Sequence, residues 1–304
     1  MCLSLANGSL LYNFNFLDRI FNYSPTAYFA LGFAAFLALN FAFYYFCRQI
    51  FLDKIKPFLA TLVLATGYIG AGTFLEVYDS LTLFPSLAFI FLSLSFLING
   101  LRKDKISFEI VASLILLAIS IVALRVRAFT YIIPVLAVIY LFPGKWKFGK
   151  RLVLSLMYTV LHFGVFFYGS PVGAISIVSG LKPDLLVKVK YFFANLGSLI
   201  LIEVFEIEKL SLYVVTGVVL SLVFLYFLFK NRNKREVTIV SFFGVIWYIS
   251  QYAPYGMRTD WLLQSDHRYL LPSFPGFLLV LVVFLSTLNF PFGKKTVSYL
   301  LVWF

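Results

Sequence analysis

The chain has 304 residues, 62% of them hydrophobic and 12% charged, with a net charge of +12. A soluble domain carries about 25% charged residues, so the composition excludes an ordinary water-soluble globular protein. The basic excess then reports orientation in a membrane rather than nucleic-acid binding, and two cysteines exclude a disulfide framework.

Apolar stretches recur from Tyr28 onward, separated by short charged segments. They are continuous, and open sheet edges cannot sit in lipid, so the sequence predicts an all-α fold, a polytopic transmembrane helical bundle. Residues 1–25 contain no run long enough to cross and read as an extracytoplasmic N-terminal segment. Nine full crossings follow at 26–47, 57–75, 80–99, 107–124, 128–142, 152–169, 210–229, 237–253 and 269–290, and a partial tenth begins near Thr296. The fifth is short and calls for snorkelling or local thinning of the bilayer. Residues 170–209 read as one extracytoplasmic loop whose apolar part, 191–202, forms a re-entrant or interfacial helix. The alternative is that 191–205 crosses while another short run does not. No internal repeat interrupts this single transmembrane domain, 1–304. An N-terminus outside without a signal peptide implies an upstream helix, and the final apolar run implies continuation beyond Phe304.

Charge sets the sidedness. The loops 48–56, 100–106, 143–151, 230–236 and 291–295 alternate onto one side and carry sixteen Lys and Arg against Asp53, Asp104 and Glu236. The other side carries nine cations and nine acids, and Glu109 lies just inside the fourth crossing. The Lys and Arg bias puts the basic loops in the cytoplasm.

Three charged clusters remain on the extracytoplasmic side. Glu76 and Asp79 lie in the turn TFLEVYDSL, and Arg125 and Arg127 in LRVRAFT. Arg258, Asp260, Asp266, His267 and Arg268 precede the last full crossing, which is expected to start with Pro272 in or near its first turn. Acids that accept a proton beside arginines that hold an anion suit sugar transfer from a lipid-linked phosphate. Lys182, Lys188 and Lys190 could guide such a head group along the 170–205 segment. Ordinary explanations stand beside these: solvated acids in a turn, and Arg125, Arg127, Arg268 and Tyr269 as head-group anchors. His162, alone in an apolar span, reads as packed or pore-facing, and Gly67, Gly70 and Gly72 as sites of close helix packing.

The segment DHRYLLPSFPGFLLVLVVF resembles the Arg-Tyr…Pro signature before a late transmembrane helix of GT-C glycosyltransferases, which include protein O-mannosyltransferases and aminoarabinose transferases. The front half is also similar: YYFCRQIF, a basic loop, a small-residue span, the acidic turn LEVYDS and a span ending in NGLRKDK follow the family's order. The resemblance implies a membrane glycosyltransferase of the cell envelope, multi-pass in the plasma membrane. It would move sugar from a polyprenyl-phosphate donor to a glycan, lipid or protein acceptor on the extracytoplasmic face. It carries Glu76, or else Asp79, over to the acidic position and Arg268 and Tyr269 to the late signature. The family's first-loop acid pair is missing; only Asp18 in FNFLDRIF stands there. Some members use a divalent metal, and no clear ligand set for one is present. The competing readings are a non-enzymatic lipid-linked oligosaccharide flippase or transporter and an O-antigen-type polymerase or ligase.

Overall fold

A computed structural model describes residues 22, 24–67, 69, 73, 77–103, 105–123, 128–167, 185–205, 209–256 and 267–287. The helices are α1 Pro25–Ile50, α2 Ile55–Thr66, α3 Val77–Leu101, α4 Phe108–Ala123, α5 Ile132–Leu141 and α6 Phe148–Phe167. They continue with α7 Leu185–Phe205, α8 Leu210–Lys230, α9 Arg235–Gly256, the single turn α10 His267–Leu270 and α11 Phe274–Thr287. No strand occurs among the described residues, as the continuous apolar runs predict.

Four of these helices, α1, α3 (over 81–101), α6 and α8, are long and apolar enough to cross a membrane. Leu212, Val215, Val219, Leu222, Leu225 and Phe229 of α8 are exposed, as are Phe29, Phe33, Leu37 and Phe41 of α1. Apolar faces of that extent are untenable in water and ordinary in hydrocarbon. Of the remaining expected crossings, those at α2, α4, α5 and α11 contain shorter apolar helices, α5 having 10 residues, about 15 Å of helix, while α9 runs for 22 residues.

Where the sequence reads as one domain, the contacts divide the chain into two compact units, Met1–Gln49 with Thr73–Ser179, and Ile50–Gly72 with Gly180–Phe304. In the first unit α3 and α4 are zipped by serines. The Ser93 hydroxyl donates to the Ser113 carbonyl at 2.8 Å and Ser113 returns the bond to Ser93 at 2.7 Å. Ser86 and Ser120 exchange the same pair of bonds at 3.0 and 2.9 Å. Moving seven residues forward on α3 moves seven back on α4, so the pair is antiparallel. Small side chains let the backbones approach, and each hydroxyl finds a partner that hydrocarbon could not supply. Tyr158 of α6 donates to the Ser113 hydroxyl at 2.7 Å, and the Tyr131 hydroxyl, just before α5, meets that of Ser86 at 3.0 Å. Packing of Phe36 on Phe84 and Phe43 on Phe91 sets α1 parallel to α3.

The basic loops of this unit meet at one end. The Arg102 guanidinium donates to the Gln49 side-chain and main-chain oxygens at 3.0 and 2.8 Å. The Lys145 N–H donates to the Leu101 carbonyl at 2.9 Å, and the Trp146 indole donates to the Lys103 carbonyl. Arg151 closes the end of α5 by donating to the carbonyls of Ile139 (2.6 Å) and Phe142 (3.2 Å), which have no intrahelical partner. Within this unit the end of α1, the end of α3 and residues 143–151 thus share an end, as their charge predicts.

In the second unit α7 and α8 are antiparallel. A Cβ on Gly197 would fall on the Tyr213 carbonyl, and one on Gly217 on the Phe193 carbonyl. The segment 191–202 is therefore the middle of a 21-residue helix lying along α8, and it does not lie flat across helix ends. This geometry fits the alternative, in which 191–205 crosses, better than it fits a re-entrant or interfacial helix. Gly244 of α9 and Gly276 of α11 make a second backbone approach.

The last expected crossing begins later than its hydropathy suggests. Helix α11 starts at Phe274, and Pro272 lies in the turn 271–273 between α10 and α11, so the proline inside the first helical turn is Pro275. Pro272 and Pro275 both lack an N–H, and a proline disfavours the helical region for the residue before it, which breaks the ladder here. The Trp247 indole donates to the Pro272 carbonyl at 2.7 Å, and Ser273 donates from its hydroxyl to the Leu270 carbonyl at 2.8 Å. Leu270 to Gly276 are all buried. Gly67 ends α2, its N–H bonded to the Val63 carbonyl; Gly70 and Gly72 lie outside the described residues.

The basic end of this unit is joined by a charge triad. Lys56 pairs with Asp53 at 2.9 Å and with Glu236 at 3.2 Å, and Asp53 accepts the N–H groups of Ile55 and Lys56 that open α2. Burial opposes ionisation of Asp53, but the Lys56 N–H and ammonium outweigh it and hold the carboxyl below its ordinary range. Burial likewise opposes the Lys56 charge, and Asp53 and Glu236 outweigh it, so the ammonium is held above its ordinary value. The Asp53 contribution is present above the ordinary carboxylate pKa and is lost as pH falls through the depressed value. The Lys56 contribution is present below the ordinary ammonium pKa and is lost as pH rises through the raised value. Glu236→Gln is expected to cost about 0.5–1 kcal/mol between these limits, discounted for partial exposure. The loss is expected to shrink at high salt, read as thermal midpoints in detergent; a salt-independent loss would argue against the ion pair.

Candidate functional site

The described helix ends bear on the site predicted from charge. Asp18, Glu76, Arg125, Arg127, Arg258, Asp260 and Asp266 lie outside the described residues. Asp79 is placed by its backbone in the first turn of α3, and His267 and Arg268 by theirs in α10. Tyr269, at the third position of α10, is half-buried and makes polar or ring contact.

In the first unit the Ser86–Ser120 pair sets the start of α3 beside the end of α4. Val77 lies nine residues beyond Ser86 and Ala123 three beyond Ser120, about 13 and 5 Å along their helices. Both ends point away from the basic loops. The turn holding Asp79 therefore shares an end with the α4 terminus that Arg125 and Arg127 follow in sequence. In the second unit the Gly244–Gly276 approach and the Trp247–Pro272 bond run α9 antiparallel to α11. The end of α9 and the α10 turn that holds His267, Arg268 and Tyr269 then both lie away from Lys56 and Glu236.

His162 is buried on α6. Its Nε2 lies 3.1 Å from the Phe129 carbonyl, and its ring meets Phe163 edge-on and stacks on Phe166. That is the packed histidine, tied to the residues that follow the Arg125–Arg127 turn. Its Nδ1 and the neighbouring Thr130 hydroxyl are buried without a hydrogen-bond partner among the described residues. Among the described residues no three His, Cys, Asp or Glu side chains gather in a way that could hold a metal ion.

Lys188 departs from the expectation of a loop cation. It lies inside α7 with 7% of its surface exposed, whereas Lys190 is exposed with its ammonium 5.9 Å from the Tyr191 ring centre. Lys182 lies outside the described residues. Two turns on from Lys188, Asn195 donates to the Tyr191 carbonyl at 2.9 Å and the Tyr252 hydroxyl at 3.2 Å. Tyr248 stacks on Tyr252 at 5.9 Å, with Phe192 edge-on to both. Gln251 is buried and donates to the Ser250 hydroxyl at 3.3 Å.

This polar interior and the serine seam are what reading by charge misses. The seam carries a signal in the sequence, serines seven apart in two successive apolar runs. Tyr248, Gln251 and Tyr252 carry a weaker one, a polar face at helical spacing. Comparison with protein-family models, curated proteins and solved structures finds no match to this chain.

Proposed function

We propose that the chain is a multi-pass membrane glycosyltransferase of the GT-C type, with its basic loops in the cytoplasm and its site on the opposite face of the plasma membrane. In the reaction an acceptor hydroxyl attacks the anomeric carbon of a polyprenyl-phosphate-linked sugar. The new C–O bond forms as the bond from carbon to phosphate oxygen breaks. The hydroxyl proton passes to a carboxylate, Glu76 or Asp79, and the polyprenyl phosphate leaves with its charge held by an arginine, for which the sequence offers Arg125, Arg127 and Arg268. The observation that supports the reading is the antiparallel α3/α4 pair. It brings the helical turn holding Asp79 and the α4 terminus that precedes two arginines in sequence to one end, away from the basic loops.

The test is turnover. Membranes containing the chain are expected to release labelled sugar from a polyprenyl-phosphate hexose or aminoarabinose faster than membranes lacking it; equal release across such a donor panel would sink the reading. The buried break between α10 and α11 favours a second reading, because discontinuous helices also mark transporters. A flippase would move the lipid-linked sugar across proteoliposomes with the sugar–phosphate bond intact.

Sidedness is tested separately. In a Cys2→Ser, Cys47→Ser background, single cysteines at positions 103 and 233 are expected to react with a membrane-impermeant maleimide only after the cells are opened. Cysteines at 77 and 264 are expected to react in intact cells. The reverse pattern overturns the orientation.

A further inference from the structure

We propose that the groove between α4 and α6 is a seat for an anionic phospholipid of the leaflet adjoining the basic loops. The inference rests on the membrane reading and is independent of the transferase reading.

Leu114 of α4 and Val153, Leu156, Met157, Val160 and Leu161 of α6 line an open groove of about 550 Å³. Its lining is apolar throughout. The α6 residues recur at intervals of three and four and so form one stripe. From Val153 to Leu161 that stripe runs about 12 Å. One leaflet of hydrocarbon is about 15 Å deep, so the groove has the length of a single acyl layer.

What distinguishes the groove from any lipid-facing surface is its basic end. Lys150 falls on the same stripe one turn before Val153, is exposed and already has a partner of its own, so the charge left for a lipid is that of Lys105, Lys145 and Lys147. Lys145 and Lys147 are exposed just ahead of it, and Lys105 is exposed on the loop after α3. The Lys145 to Leu101 bond and the Trp146 to Lys103 bond draw these two loops together. No acidic residue stands in the first turn of α6. Glu109, near the start of α4, is taken up by Lys103.

Cations gathered at the start of a helix face the positive end of its dipole. A bound anion relieves that repulsion. A phospholipid phosphate does so from the membrane side while its acyl chain fills the groove, and the apolar lining gives a soluble phosphate nothing to fill it with. Gly149, beside Lys150, adds room at this point, since a Cβ there meets no atom within 4 Å.

The test uses the full chain purified in a neutral detergent. The probes are phosphatidylglycerol, phosphatidylcholine with the same acyl chains, and soluble glycerol phosphate. Native mass spectrometry reads retention and thermal midpoints read stabilisation. Phosphatidylglycerol is expected to be retained about tenfold more strongly than phosphatidylcholine. The Lys145→Glu, Lys147→Glu double variant is expected to erase that preference. Met157→Trp, on a lipid-facing position, is expected to fill the groove and reduce retention with the lysines intact. Should the charge variant fold poorly, Met157→Trp and Lys105→Glu still decide the matter. Equal retention of the two lipids overturns the proposal, as does a full effect from glycerol phosphate alone or unchanged retention in Met157→Trp.

Discussion

Gly217→Leu is expected to separate α7 from α8 and to destabilise the second unit by about 3 kcal/mol or more, the upper range for overpacking. A Cβ at Gly217 lands on the Phe193 carbonyl oxygen, and one at Gly197 on that of Tyr213. These are backbone atoms of the facing helix and cannot rotate away as a side-chain tip can. Either the helices part or the backbone bends. Parting removes the close contact that holds two helices together in a solvent where apolar burial gives no preference for protein over lipid. Even Gly217→Ala is expected to lower the thermal midpoint in detergent. Gly164, in α6, supplies the control: a Cβ there meets no atom within 4 Å. Gly164→Ala is expected to be neutral or to stabilise by about 0.5–1 kcal/mol through helix propensity. If the two substitutions behave alike, the close approach of α7 and α8 is wrong.

That contrast shows where sequence reading succeeds and fails in this chain. Alternation of apolar runs with charged loops gives the all-helical class and the grouping of basic loops, because both follow from transfer energies that each residue carries by itself. The grouping reappears as bonds: Arg102 to Gln49, Lys145 to Leu101, Lys56 to Glu236. Helix pairing does not follow in the same way. In lipid it depends on which small residues face each other, and that is a relation between two segments. Gly197 and Gly217 look no different in sequence from Gly164, where an added Cβ would meet no atom within 4 Å. Ser86, Ser93, Ser113 and Ser120 stand seven apart in two apolar runs, but which of them pair is fixed only when the two helices are laid side by side.

The ends of elements were legible only in part, for a related reason. Hydropathy places the last crossing at 269–290, since Leu270 and Leu271 are apolar. The backbone chemistry of Pro272 and Pro275 starts the helix at Phe274. Hydropathy likewise shortens α7 to 191–202, because Lys188, Lys190 and Glu203 interrupt the run. Helix α7 continues through all three, with the first of them buried. Of the proposed site, the sequence names the charged residues. The described structure adds the helix ends they adjoin, and the placed side chain of Tyr269.

Glu76→Gln and Arg268→Ala are each expected to lower sugar transfer by about 10²- to 10³-fold while the protein inserts and accumulates normally. Gln keeps the shape of Glu and loses its basicity, so the acceptor hydroxyl would still be oriented but would keep its proton. Under the proposed transfer chemistry Ala removes a guanidinium that would hold the phosphate in two hydrogen bonds, and its loss would fall on the step in which the leaving oxygen gains charge. Asp79→Asn separates the two acids. Asp79 lies two residues into α3, about 3 Å further along the helix than Val77. If Glu76 is the base, Asp79→Asn is expected to change turnover by less than about tenfold. If Asp79 is the base, the two variants exchange roles. Lys234→Ala, exposed at the basic end of the second unit, is the neutral control. Membranes assayed with a polyprenyl-phosphate sugar decide among these outcomes. Unchanged turnover in both Glu76→Gln and Asp79→Asn would remove the carboxylate base on which the transfer chemistry depends.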